Sequence, residues 1–180
     1  YLYVSKIIID GGLIMAFKEV NIRDIDKSAV KMISDEWALV TASADGAVNS
    51  MTVSWGGIGE IWGKDVVYIF IRPQRYTYEL LEKTDFFSMS FFGGEYKKEL
   101  TYFGRNSGRD GNKYEATGFT TVKLDSAQCV EQAKVNLVCK KLAFQDIDPK
   151  GFIDESIENN YNGDYHRVYI GEIVKAHIAE

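Results

Sequence analysis

The run Lys134–Phe144 (KVNLVCKKLAF) changes phase in its middle. Val135, Leu137 and Cys139 share one face of an extended chain, whereas Leu142 and Phe144, beyond Lys140-Lys141, fall on the other parity. Side chains of a strand alternate with period 2, so the change predicts one extra residue, a β-bulge, and bulges bend strands around barrels. The final run, Tyr165–Ile178 (YHRVYIGEIVKAHI), is a second long strand with Gly171 at a bend. A long bulged hairpin is hard to place in anything except a curved antiparallel sheet.

The rest of the chain agrees. Trp37–Ala44 (WALVTASA) and Ala47–Trp55 (AVNSMTVSW) read as strands around Asp45-Gly46, a strong two-residue hairpin signal. Val66–Ile71 (VVYIFI) is continuous, β-branched and aromatic, the pattern of a buried strand, and Pro73 ends it. Phe86–Phe92 is a further strand closed by Gly93-Gly94. Short helices are expected over Ile25–Ile33, Tyr76–Lys83 and Glu95–Phe103, the last followed by a glycine-rich polar loop, Gly104–Gly111. Asp148 to Gly163 reads as irregular and polar. The pattern predicts a mainly β protein, a small closed antiparallel barrel with a few short helices at its ends.

Length and composition narrow the functional classes. One hundred and eighty residues make a single domain with a real core. A net charge of −5 disfavours non-specific binding to nucleic acid, so no nucleic-acid partner is expected. No apolar run reaches the length of a membrane span, so no membrane is expected either. Two cysteines, Cys129 and Cys139, are too few for a disulfide framework and suit a reducing cytoplasm. With only His166 and His177 beside them, no metal site is expected. Residues 1–14 (YLYVSKIIIDGGLI) lack a cleavable signal, and Met15-Ala-Phe-Lys reads like a start. The expected division is therefore a non-native extension over 1–14 and one domain over 15–180, the alternative being an extra strand on Lys6–Ile9.

Familiar nucleotide motifs fail. Gly57-Ile58-Gly59 opens like a dinucleotide fingerprint, but Trp62 occupies the third glycine position. The Gly104–Gly108 loop has no Gly-Lys-Ser/Thr, and no Gly-x-Ser-x-Gly occurs.

Four constellations remain. Arg72-Pro73-Gln74-Arg75-Tyr76-Thr77 runs from a strand end into a helix, joining free helical N–H donors to two guanidinium forks, as a phosphate requires. Its alternative is a capped helix with solvent-exposed arginines. Asn49-Ser50-Met51-Thr52-Val53-Ser54-Trp55 alternates small polar with apolar residues and could present a hydrogen-bonding edge to a flat ligand, or simply a wet strand face. Ser107-Gly108-Arg109-Asp110 with Lys113 is a glycine-bearing cationic loop, an anion site or a surface turn. His166 opens the last strand, as a catalytic group or a structural one.

Taken together, NSMTVSWGG, VVYIFIRPQRYTYELLEK, FFSMSFF, SGRDGNK and YHRVYIGEI resemble, in order and over nearly all of Met15–Glu180, the flavin reductase-like, FMN-binding split-barrel proteins, which include flavoredoxin. The resemblance implies a dimeric antiparallel split β-barrel holding FMN near the dimer interface. It implies that Asn49, Ser50, Met51, Thr52, Val53, Ser54 and Trp55 line the flavin ring. Arg72, Gln74, Arg75 and Thr77 then handle the ribityl phosphate, and Ser107, Arg109 and Lys113 close on the cofactor. His166 is implied to face the flavin or a nicotinamide. The implied activity is hydride transfer from NAD(P)H to flavin, with an electron carrier serving a redox protein partner, or a flavin-binding module without turnover, as alternatives. Val53, where alanine is common, and Gly111-Asn112 before Lys113 depart from the family pattern.

Overall fold

The computed structural model describes residues 16–180. The expectations for residues 1–14 and for a start at Met15 lie outside the described residues.

Ten strands and three α-helices are present among the described residues. In chain order they are β1 (Phe17–Val20), β2 (Ala38–Ala44), β3 (Ala47–Val53), β4 (Gly56–Ile61), β5 (Lys64–Ile71), α1 (Tyr76–Lys83) and β6 (Phe86–Phe91). There follow α2 (Lys97–Arg105), α3 (Lys113–Thr117), β7 (Thr121–Leu124), β8 (Ala127–Val130), β9 (Val135–Asp146) and β10 (Arg167–Ala179). The main sheet is antiparallel in the order β3-β2-β6-β9-β10-β5-β4, and β1 pairs the C-terminal half of β10. A separate hairpin, β7-β8, lies outside it.

The bulge sits where the phase change predicts it. Ile170 pairs Ala143 and Gly171 pairs Lys141, so Leu142 is the extra residue on β9. At that point a Cβ on Gly171 would come within 2.6 Å of the fully buried Phe87 ring, so the bend depends on a missing side chain. A second register shift between Ile173 and Lys175 curves β10 further.

Alternation then builds the core. Val40, Met51, Ile69, Phe87, Leu137 and Cys139 point inward and are buried in one cluster, which α1 closes with Leu80 and Leu81. Each large apolar side chain so buried stabilises the fold by about 1.5–3 kcal/mol. Leu39 and Val138 point the other way, into clusters under α2 and β8, so the central strands are covered on both faces. Three buried serine and asparagine side chains on that outer face are satisfied internally: Ser88 donates to the Gln128 carbonyl at 2.6 Å, and Ser90 to Asn136 Oδ1 at 2.6 Å.

Several expectations need correction. The barrel is split, as the family resemblance implies, and not closed, as the apolar pattern alone predicts: β3 and β4 end the sheet order and pair only β2 and β5 respectively. The gap persists because α2 and Lys113 occupy the outer edge of β3, where Thr52 Oγ1 donates to the Leu100 carbonyl and Lys113 Nζ donates to the Ser50 carbonyl. No continuous helix spans Ile25–Ile33; a 3-10 turn covers Ile22–Asp24 and a π-helical turn covers Lys31–Asp35. Glycine-rich β4, short α3 and the β7-β8 hairpin are additional elements that the apolar pattern does not mark. The segment from Asp148 to Gly163 contains two 3-10 turns, Pro149–Gly151 and Glu155–Asn160.

Candidate functional site

Two hollows meet at Arg75. The first, about 220 Å³, is lined by Met51, Thr52, Val53, Ser54 and Trp55 from the end of β3, by Phe70 and Arg72 from β5 and beyond, and by Arg75 and His166. The second, about 140 Å³, brings together Asn49, Gln74, Arg75, Ser107, Arg109 and Lys113 with Tyr76, Arg105, Asn106 and Gly108. Segments far apart in sequence are thus joined by the fold. Ser50 and Thr77 line neither hollow. The Ser50 hydroxyl lies 2.6 Å from both Thr41 Oγ1 and the Tyr114 hydroxyl, and Thr77 Oγ1 accepts from Asn49 Nδ2 at 2.7 Å. The side chains of both residues hold others in place.

The first hollow is a half-apolar slot with the end of β3 on its floor. Met51 and Val53 turn their side chains into the barrel core. What β3 offers beyond Val53 is backbone, the Ser54 hydroxyl and the half-exposed Trp55 ring. Trp55 lies 5.2 Å from the His166 ring, and Tyr161 meets His166 from another side with its hydroxyl 3.0 Å from Nδ1. His166 is 7% exposed. Burial, then the nearby Arg72 charge, lower its pKa to about 4, so the imidazole is neutral at pH 7. It presents an uncharged ring to the slot.

Arg72 belongs to this slot and does not line the second hollow. It forms a salt bridge with Asp164, donates to the Asn160 carbonyl at 2.8 Å and lies over the Tyr161 ring. Gln74 Nε2 donates to the same Asp164 carboxylate at 2.8 Å. The Asn162 N–H, and then these two bonds, hold the Asp164 carboxyl well below the usual carboxylate range. Arg72 and Gln74 therefore latch the segment before β10 onto the strand that precedes α1.

The second hollow is cationic. Arg75 donates to the carbonyls of Gly104 at 2.8 Å and Phe103 at 3.3 Å, and Lys113 donates to those of Ser50 and of Phe103, the latter at 3.2 Å. Both cations are capped by carbonyls, and among the described residues neither meets a carboxylate. The end of α2 supplies about half a negative charge, so two full positive charges remain largely uncompensated. Burial, and the Arg75 charge beside it, push the Lys113 ammonium down to about 8. Burial lowers the Arg75 guanidinium too, with Arg72 adding repulsion. Arg109, by contrast, forms a salt bridge with Glu79 and lies over the Tyr76 ring. Unspent N–H groups of Arg75 and Lys113, the start of α1 and the adjoining loop give the donor set of an anion site. Gly108 is required here, since a Cβ would approach Asn49 Oδ1 to 2.2 Å and Tyr76 Cδ1 to 2.9 Å.

Sequence reasoning missed Phe70, Arg105 and Asn106 as lining residues, and held Tyr76 and Gly108 only as members of the two anion-site motifs. Arg105 follows the expected helix and reads as a cation at a helix end; only its two-residue distance from Ser107 hinted at a place in the loop site. Among the described residues, no group of three or more His, Cys, Asp or Glu is placed to hold a metal ion, and no helix is long and apolar enough to cross a membrane.

Residues 31–180 match the family described as "Flavin reductase like domain". The chain belongs to the flavin reductase-like family. Among solved structures, an FMN-binding domain of a flavin reductases-like enzyme from Shewanella baltica superposes with a TM-score of 0.67 at 16% identity, covering 93% of this chain and 79% of that one. Flavoredoxin of Desulfovibrio vulgaris gives 0.63 at 22%, covering 80% and 69%. The NADH:FAD oxidoreductase of Streptomyces globisporus, solved with NAD and FAD fragments, gives 0.60 at 16%, covering 81% and 77%. At these identities the likeness establishes the fold, that of the split-barrel flavin reductase-like proteins. A comparison with curated proteins finds no match.

Proposed function

We propose that this chain is an FMN-binding oxidoreductase that passes hydride from NAD(P)H to the flavin. One observation carries the reading: half-buried Arg75 and buried Lys113, both free of carboxylates, form a cationic hollow that joins the end of a slot floored by β3 and walled by Trp55 and His166. A flat ring system joined to a phosphate matches that sequence of surfaces. FMN supplies the redox chemistry when bound. The chain's own residues bind and orient: Arg75, Lys113 and Arg109 anchor the phosphate, the β3 edge and Ser54 offer hydrogen bonds along the ring, and Trp55 with neutral His166 shields one side from water. Arg72, Gln74 and Asp164 position His166 by fixing the segment before it. A cytoplasmic homodimer is the setting that the reading carries with it, and light scattering on the purified protein tests the dimer.

The deciding experiment is anaerobic. The protein is loaded with FMN, NADH or NADPH is added, and the visible flavin absorbance is followed. Rapid bleaching is expected. A loaded protein that stays yellow would instead make the chain an electron carrier like flavoredoxin, reduced by a redox protein, and failure to take up FMN would remove the reading altogether.

A further inference from the structure

The imidazole of His166 has one polar partner among the described residues. Its Nδ1 lies 3.0 Å from the Tyr161 hydroxyl, while Nε2 meets no donor or acceptor of the chain and yet is not sealed from solvent. His166 lines the first hollow, so Nε2 is the nitrogen left available to the slot. Aromatic rings grip the imidazole: Trp55 at 5.2 Å, Tyr161 at 5.4 Å and Phe70 at 6.4 Å. The bond to Tyr161 could run in either sense, and the chemistry of the pair selects one. A phenol is more acidic than a neutral imidazole N–H and is the better donor, whereas the imidazole lone pair is a better acceptor than a phenol oxygen. Burial raises the Tyr161 pKa and lowers that of His166 to about 4, so at pH 7 both groups are neutral and the hydroxyl keeps its proton. Tyr161 has little freedom to turn away. Arg72 lies over its ring at 5.2 Å, and the rings of Phe152 and Tyr165 lie at 6.1 and 5.0 Å.

We propose that Tyr161 is a positioning residue of the slot: by donating to Nδ1 it fixes His166 as the Nε2–H tautomer and makes it a hydrogen-bond donor to a carbonyl oxygen of the slot's occupant. The occupant rests on the flavin reading above; the tautomer rests on the protein alone. Both the flavin ring and the carboxamide of a nicotinamide carry such an oxygen. Without the bond to Tyr161, a neutral imidazole can hold its proton on either nitrogen, and in the other tautomer Nε2 would meet the carbonyl with a lone pair. The salt bridge of Arg72 to Asp164 lies between Tyr161 and His166 in sequence and pins the segment that carries both. That latch keeps the hydroxyl on Nδ1.

Nitrogen NMR of the full, ligand-free chain with isotope-labelled histidine tests the tautomer without any flavin. At pH 7 His166 is expected to show a protonated Nε2 and a bare Nδ1, its signals told from those of His177 by their loss in His166→Gln. A protonated Nδ1 would overturn the proposal. Tyr161→Phe keeps the ring that Arg72 covers and deletes only the hydroxyl, so the fold should be retained. In this variant the Nδ1 signal should move downfield, as an acceptor nitrogen does on losing its donor, and an unmoved signal would also sink the idea. In the flavin-loaded protein Tyr161→Phe should weaken the ligand that carries the carbonyl by about three- to tenfold, the worth of one neutral hydrogen bond. Weaker riboflavin assigns the oxygen to the flavin. A higher half-saturating concentration of NADH, with the limiting rate of flavin reduction within about twofold, assigns it to the nicotinamide. Either loss should vanish when Tyr161→Phe is added to His166→Ala, because the hydroxyl acts through the imidazole. A loss that persists there, or no loss for either ligand, would overturn the positioning role. Failure to take up any flavin would instead end the flavin reading, with the tautomer still decided by the ligand-free spectra.

Discussion

Arg75 and Lys113 donate to the same carbonyl oxygen, that of Phe103, at 3.3 and 3.2 Å. Two cations converging on one neutral acceptor, with Arg75 among the causes that depress the Lys113 ammonium, are repulsive until an anion joins them. Lys113→Met should therefore weaken FMN by about 1.5–3 kcal/mol, the worth of a hydrogen bond to a charged group, and leave riboflavin, which lacks the phosphate, within twofold. Arg75→Ala should behave alike. Parallel titrations with the two flavins check both variants, and equal losses for FMN and riboflavin would take the phosphate away from this hollow.

Affinity should also depend on pH. Lys113 has a folded-state pKa of about 8 against 10.5 for a free lysine. Between these values the unfolded chain holds a proton that the folded chain has lost, so the unliganded protein gains stability from this group as pH rises. Anion binding runs the other way, because it needs the ammonium. FMN affinity is expected to fall above pH 8, by up to about tenfold per unit, while riboflavin affinity stays level. Titrations at pH 7, 8 and 9 distinguish the two.

The hidden imidazole makes a contribution of the same sign at lower pH. His166 titrates near 4 in the fold and near 6.5 when unfolded. As pH falls from 6.5 to 4 the unfolded chain takes up a proton that the folded chain refuses, and stability declines. Denaturant melts across that range should show the loss, and His166→Gln should flatten it. In turnover, His166→Ala is expected to keep bound flavin but slow its reduction by the nicotinamide; stopped-flow absorbance measures this, and an unchanged rate would remove His166 from the reaction.

Much of this architecture was legible in the residues. Asp45-Gly46 forms the β2–β3 turn with positive φ at both positions, and α1 spans Tyr76–Lys83 as its pattern indicates. The bulge falls within two residues of Lys140-Lys141. Trp62-Gly63 makes an equivalent turn between β4 and β5, again with positive φ at both positions, but a tryptophan there does not announce itself and glycine-rich β4 has no apolar alternation to read. At the site, the cationic loop and the Arg75 helix start carried local signals. The pairing of Arg72 with Asp164 did not, since 92 residues separate them and only the sheet order brings them together. Nor could a string of letters show that the Ser50 hydroxyl faces Thr41 and Tyr114, away from both hollows.

Gly171 offers a check on the curvature. A methyl group there would meet the Phe87 ring at 2.6 Å and Cys139 at 3.2 Å, in a core with no slack. Gly171→Ala is expected to cost about 1–3 kcal/mol of stability, the usual penalty of overpacking, measured by urea denaturation with flavin affinity as a check on the distant site. A variant as stable as the parent would show that β10 can bend without a gap at this point.

An open sheet has a hazard that a closed barrel avoids. Bare strand edges recruit other strands, and natural proteins often deter that pairing by setting a lysine on the edge. Lys113, reaching over from the start of α3, covers the outer edge of β3 in the same manner, its ammonium seated on the Ser50 carbonyl. The side chain that waits for an anion is at the same time a guard against fibre-like association. Neutralising it to study ligand binding bares a segment of the edge, so solutions of Lys113→Met should aggregate sooner than the parent protein, and most readily when no ligand covers the seam.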